Sequence, residues 1–175
     1  MKIIQLLPLG KLSPALLAEL REGLAREYSV SCEILPPEPE PAHAFSASRQ
    51  QYSSTEILAK LAARPGVDGA KLLGVVSADL YIPILTFVFG EAQLKGSCAV
   101  ISTFRLRQEF YGLPVDEGLL ARRTIKEAVH ELGHTLGIPH CEDYDCVMAP
   151  SHAVEWIDLK KAGFCEACRA AVAAR

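Results

Sequence analysis

The chain opens on an apolar run at residues 2–9, and similar short runs recur at 30–35, 71–76, 86–89 and 99–104. Short apolar runs between Gly- and Pro-containing breaks are strand signals. Between the first two runs, Ser13 and Pro14 supply a cap and a first-turn proline for a helix through about residue 27. A second helical stretch covers about 54–63 and stops at Pro65-Gly66. Strand, helix, strand, helix, strand predicts a mostly parallel, twisted sheet with helical crossovers. The last three runs follow one another too closely for helical crossovers, so at least one is expected to be antiparallel and at an edge. The stretch Pro36-Pro37-Glu38-Pro39-Glu40-Pro41 lacks the N–H groups that a ladder needs and is expected in an exposed loop.

From Asp116, a good N-cap, a long helix is predicted to about Leu136. Its apolar stripe is Ile125, Ala128, Val129, Leu132 and Leu136. At about 100° per residue, His130 and His134 point roughly 160° away from the stripe's centre. The sheet should therefore receive the stripe while both histidines look into a cleft. Beyond this helix, loops rich in Cys, Asp and Pro fill 138–153, and a helix from about Glu155 or later is expected to carry the chain to its end.

The segment His130-Glu131-Leu132-Gly133-His134-Thr135-Leu136-Gly137-Ile138-Pro139-His140 carries candidate chemistry. Histidines four apart on a helix differ in direction by only about 40°, so their imidazoles can meet at one ion. Had the helix continued, His140 would lie about 9 Å further along the axis. Gly137 permits a left-handed residue that ends the helix, and Pro139 discourages its resumption, so the chain can swing His140 back. Three neutral imidazoles leave one tetrahedral position for water, the arrangement of a catalytic zinc. Glu131 stands beside the ligands without being needed as one, and suits a general base that takes a proton from water and passes it to a leaving amine.

Composition narrows the setting. The chain has 175 residues, 22% of them charged, and a formal net charge of −3. One domain is expected, with a globular core and no basic field for nucleic acid. No apolar run approaches the roughly 20 residues needed to cross a bilayer, so no membrane role is expected. The amino end reads as a buried strand rather than a secretion signal, which makes a cytoplasmic location the default.

Of six cysteines, Cys141, Cys146, Cys165 and Cys168 fall near the carboxyl end, and Cys32 and Cys98 lie in strand-like runs as expected inert thiols. In a reducing compartment the four make a plausible closed, structural zinc site, with disulfides as the alternative. Cys141 adjoins His140, so the second metal would brace the third catalytic ligand. By spacing alone Met148 reads as ordinary core.

The run from His130 through His140-Cys141, Cys146-Val147-Met148 and Phe164-Cys165-Glu166-Ala167-Cys168 resembles the archaemetzincins, a family of the metzincin clan of zinc metallopeptidases. Asp79-Leu80-Tyr81, Phe87-Val88-Phe89-Gly90-Glu91-Ala92 and Glu109-Phe110-Tyr111-Gly112 are similar to that family too. The resemblance implies one α/β metzincin-like domain over 1–175, with sheet, helices and active-site helix in 1–136 and a zinc-stapled part in 137–175. It implies two zinc ions per chain: a catalytic one on His130, His134 and His140 with Glu131 as general base, and a structural one on Cys141, Cys146, Cys165 and Cys168. Met148 would be the apolar floor beneath the catalytic site, and the edge strand near 86–89 the cleft's upper rim. The expected partner is a peptide or small protein substrate, handled by a monomer. Action as an aminopeptidase or short-peptide hydrolase is one reading. Others are a zinc-stabilised binding or regulatory module with little turnover, and an amidase for small amides. Asp143 and Asp145 are candidate holders of a free amine, with solvated loop charges as the plainer reading. His152 has no assigned role.

Overall fold

Consecutive strand residues point to opposite faces of a sheet, and this chain buries both faces. In the computed structural model, which describes residues 1–174, the elements begin with β1 (Ile3–Leu9), α1 (Pro14–Tyr28), β2 (Ser31–Ile34), β3 (Phe45–Ser46), β4 (Gln51–Ser53) and α2 (Ser54–Ala62). They continue with β5 (Ala70–Val76), β6 (Leu80–Tyr81), β7 (Gly90–Ala92), β8 (Cys98–Ser102), α3 (Glu117–Thr135), α4 (Val154–Leu159) and α5 (Glu166–Ala173).

The main sheet has five strands in the order β2-β1-β5-β8-β7. All neighbours are parallel except β7, which runs antiparallel to β8 at the edge. Ile4, Leu6, Leu73, Val75, Ala99 and Ile101 pack on one side against α1 and α3, among them Leu20, Leu24, Ala128, Val129 and Leu132. The intervening residues Leu7, Leu9, Val76, Cys98 and Val100 pack on the other side against Ile57, Leu58 and Leu61 of α2. The result is a sheet between helical layers, an α/β domain of the expected class. Ser13 caps α1 by accepting from the Leu16 amide, and Asp116 caps α3 by accepting from the Leu119 amide at 2.8 Å.

Three features depart from the sequence expectation. A second sheet, β3-β4-β6, consists of strands of two or three residues, too short for periodicity to register. The antiparallel edge strand lies at Gly90–Ala92 rather than at 86–89. Side chains distant in sequence occupy the carbonyls of the earlier segment: Arg49 donates to Leu85 O and Thr86 O, and Gln51 Nε2 donates to Thr86 O. Arg105 also lies over the Phe87 ring while gripping Asp79 with two hydrogen bonds. Only Val88 makes an isolated bridge there, to Leu80. Lastly, the helix expected from about Glu155 is two helices. The break between them is held by Lys161 N donating to Asp145 O and Val147 N donating to Gly163 O. The chain's last residue, at which that helix was to end, lies outside the described residues.

Candidate metal centres

Helix α3 ends as its sequence dictates. Gly137 adopts φ 80°, its amide donates to His134 O, and the Ile138 amide donates to Gly133 O. This paired bonding closes the helix and turns the chain back. His140 thereby reaches the two helical histidines: its ring centroid lies 5.2 Å from that of His130 and 4.9 Å from that of His134. One nitrogen of each of the three rings falls within a sphere of mutual distances no greater than 4.8 Å.

The tautomers follow from the backbone. His130 Nδ1 donates to Val147 O at 2.8 Å, and His134 Nδ1 donates to Ile138 O at 2.8 Å. A carbonyl can only accept, so each ring's Nε2 carries a lone pair rather than a proton. Those two Nε2 atoms face each other at 3.1 Å. Two lone pairs at that separation repel unless a cation lies between them. Two nitrogens bound tetrahedrally to one zinc stand about 3.3 Å apart, so the donor set fits that ion. Burial holds the pKa of His130 well below its ordinary value, helped by Lys160 and His134, and burial lowers those of His134 and His140 as well. Neutral imidazole is the form that ligates.

Glu131 is 6% exposed and lines the same cleft. Burial raises its pKa well above the carboxylate range; Glu127 and Glu91 push the same way, and Lys160 opposes them. It packs against Gly90 at the edge of the main sheet, where a β-carbon would lie 2.8 Å from its Oε1. The cleft, about 360 Å³, runs between residues 85–90 on one side and Pro150, Ser151 and His152 on the other. His152 stacks edge-on against Trp156.

The four cysteines of the carboxyl-terminal cluster also converge, with one sulfur from each inside 4.8 Å. All six cysteines of the chain are free thiols. Cys141 and Cys165 are 3.8 Å apart at sulfur. Two sulfurs on one tetrahedral zinc stand about 3.8 Å apart, so this set fits zinc too. Cys146 Sγ accepts from the amides of Met148 and Cys165. Asp143 and Asp145 stay outside the cleft: Asp143 Oδ1 accepts from the Asp145 amide, and Asp145 pairs with Lys161.

The three residues Cys146-Val147-Met148 connect the two clusters. Cys146 belongs to the sulfur set, Val147 O accepts from His130, and Met148 O accepts from the Cys141 amide at 3.0 Å. Met148 is fully buried, with its sulfur pressed against Gly133, where a β-carbon would sit 2.5 Å from Sδ. It packs directly against the histidine helix at Gly133.

Sequence reasoning missed the charged pair behind the site. Glu127 and Lys160 are buried together, their Oε1 and Nζ 3.2 Å apart, and Lys160 also donates to Ala149 O. Glu127 lies four residues before Glu131 on one helix face, an unfavourable like-charge spacing that was the available signal. Its partner, 33 positions later, had none.

A helix presenting two imidazoles, a return turn bringing a third, and a buried carboxylate beside them define a metal-dependent hydrolase centre. The chain matches the model of peptidase family M54 over residues 35–174. It is 44% identical to an archaemetzincin of Methanocaldococcus jannaschii over 92% of this chain and 87% of that protein. A crystal structure of archaemetzincin from Archaeoglobus fulgidus superposes with TM-score 0.84 at 36% identity, covering 97% of this chain and 99% of that one. A zinc-dependent peptidase from Methanocorpusculum labreanum superposes with TM-score 0.89 at 29% identity and the same coverage. The chain belongs to peptidase family M54, and it is a zinc metallopeptidase of the archaemetzincin type.

Proposed function

We propose that this metallopeptidase hydrolyses peptide bonds with His130, His134 and His140 as ligands of a catalytic zinc and Glu131 as general base. Zinc held by three imidazoles supplies Lewis acidity toward the scissile carbonyl and makes water a better nucleophile at neutral pH. The remaining work falls to the chain. The Val147 and Ile138 carbonyls hold two rings in the ligating tautomer and orientation. Glu131, in a dry setting that makes it a stronger base than an ordinary carboxylate, accepts the proton of the attacking water and delivers it to the departing amine. Peptide in extended form fits along the 85–90 rim. The observation that carries this reading is the convergence of three imidazole nitrogens beside one buried carboxylate in an open cleft.

Cys141, Cys146, Cys165 and Cys168 hold a second, structural zinc in the same proposal, giving two ions per chain. Substrates are peptides or small proteins, including short peptides from which an aminopeptidase would release one residue.

A Glu131→Gln variant tests the base. It is expected to retain zinc at the parent's stoichiometry and to lose turnover of peptides by about 100- to 10,000-fold. Equal rates for the two proteins would reject Glu131 as the base. A zinc-replete parent inert toward a diverse peptide library would favour the binding-module reading instead.

A further inference from the structure

Lysine is almost never fully buried unless its charge is paired, and Lys160, just past the end of α4, is 2% exposed. Its ammonium lies 3.2 Å from Oε1 of the equally buried Glu127 and donates to Ala149 O at 3.2 Å. A buried ion pair contributes little net stability, because the desolvation of both charges offsets most of their attraction. Nor does docking of α4 depend on this one. Arg123 holds Asp158 with two hydrogen bonds, at 2.8 and 2.6 Å, and Lys126 donates to Ile157 O. Val154 and Ile157 also pack into an apolar cluster with Leu106 and Leu120. What the pair adds is position.

Glu127 stands three residues before His130 on α3. Ala149 closes the turn at 146–149, its amide donating to Cys146 O, and the Val147 carbonyl of that turn accepts from His130 Nδ1. Lys160 therefore grips the helix and the turn on either side of the bond that orients the His130 ring. We infer that Lys160, paired with Glu127, is a positioning residue for the histidine-bound metal, fixing the turn against α3 so that Val147 O meets His130. The inference rests on the reading of His130, His134 and His140 as metal ligands. An ion contact and a hydrogen bond from one ammonium fix the distance between two backbones. Apolar side chains of similar volume fill the same space without a preferred direction, and leave the turn free to slide along the helix.

The test is metal retention by the zinc-loaded protein with the pair replaced by apolar residues, Glu127→Leu with Lys160→Met. Replacements of this kind are often neutral or stabilising, so Tm should stay within a few degrees of the parent. The chelator concentration that strips the histidine-bound ion should nevertheless fall at least about tenfold, as when a group orienting a ligand is lost. The ion on the cysteines should leave within about threefold of the parent's concentration. The two ions are told apart by metal analysis against a His140→Ala control, expected to keep firmly only the cysteine-bound one. Should the apolar pair fail to fold, Lys160→Gln, one bond shorter and uncharged, is read in the same way and should lose the histidine-bound ion several-fold more readily. Parent-like retention at the histidines in either folded variant overturns the inference. So does equal weakening of both ions with a large fall in Tm, the mark of a merely structural contact. A parent that holds one zinc per chain, with the same retention as His140→Ala, would instead refute the ligand reading itself, and the positioning role with it.

Discussion

At position 131 the fold places a carboxyl group where water scarcely reaches it, beside two further acids. Ionising it there is costly, and the raised pKa expresses that cost. The sign of its effect on stability follows. A carboxyl with a raised folded pKa stabilises the fold below its unfolded value of about 4.3, and this stabilisation is lost as pH rises through the folded value. In metal-free protein, Glu131→Gln should therefore melt several degrees above the parent near pH 8, with the gap closing toward pH 4. Parallel melting temperatures across that range would show that the carboxylate is not strained. The same site contains a steric test. Gly133→Ala would drive a β-carbon to 2.5 Å from the Met148 sulfur, and overpacking of that kind costs about 1–3 kcal/mol, measurable by urea unfolding. The convergence of the three imidazoles was legible in the sequence because helical spacing and a helix-ending glycine fix their directions locally. Glu127 and Lys160 were not, since their pairing exists only once α4 has packed beneath α3.

Between elements, the consequential link is the strap Cys146-Val147-Met148, which touches both the histidine and the cysteine group through consecutive residues. Removing two thiols should therefore disturb more than their own site. In a Cys165→Ser/Cys168→Ser double variant the loss of sulfur-bound metal should free Val147 and Cys141 to move. The zinc left on the histidines should then dissociate at least about tenfold more readily in chelator competition, since the groups that hydrogen-bond a ligand and hold it in place are worth about 10- to 100-fold in metal affinity. Unchanged affinity at the histidines would mean that the strap holds without its sulfur anchor. Legibility at this scale followed element length. The long strands and α1, α2 and α3 announce themselves through caps and periodicity. The small sheet and the exact start of β7 do not. They are set by Arg49, Gln51 and Arg105, which claim carbonyls and an aromatic ring remote in sequence, and one strand register cannot be read without knowing which carbonyls are taken.

Across the whole molecule, a sheet buried on both faces provides a rigid platform, with α3 laid across it so that its apolar side meets the sheet and its histidines meet the cleft. The edge strand β7 and the loop before it form one wall, and the segment after Met148 forms the other. No helix among the described residues is long and apolar enough to cross a membrane. Hydrolysis by this route requires three rings converging on one ion that keeps a solvent-accessible position. Anomalous diffraction at the zinc edge from crystals of the zinc-loaded protein tests this most directly. The predicted result is two peaks per chain, one amid four sulfurs and one about 2.0–2.1 Å from an Nε2 of both His130 and His134 and a ring nitrogen of His140, with solvent in its fourth position. A single peak at the sulfurs, His140 turned away, or a protein side chain in that fourth position would contradict it.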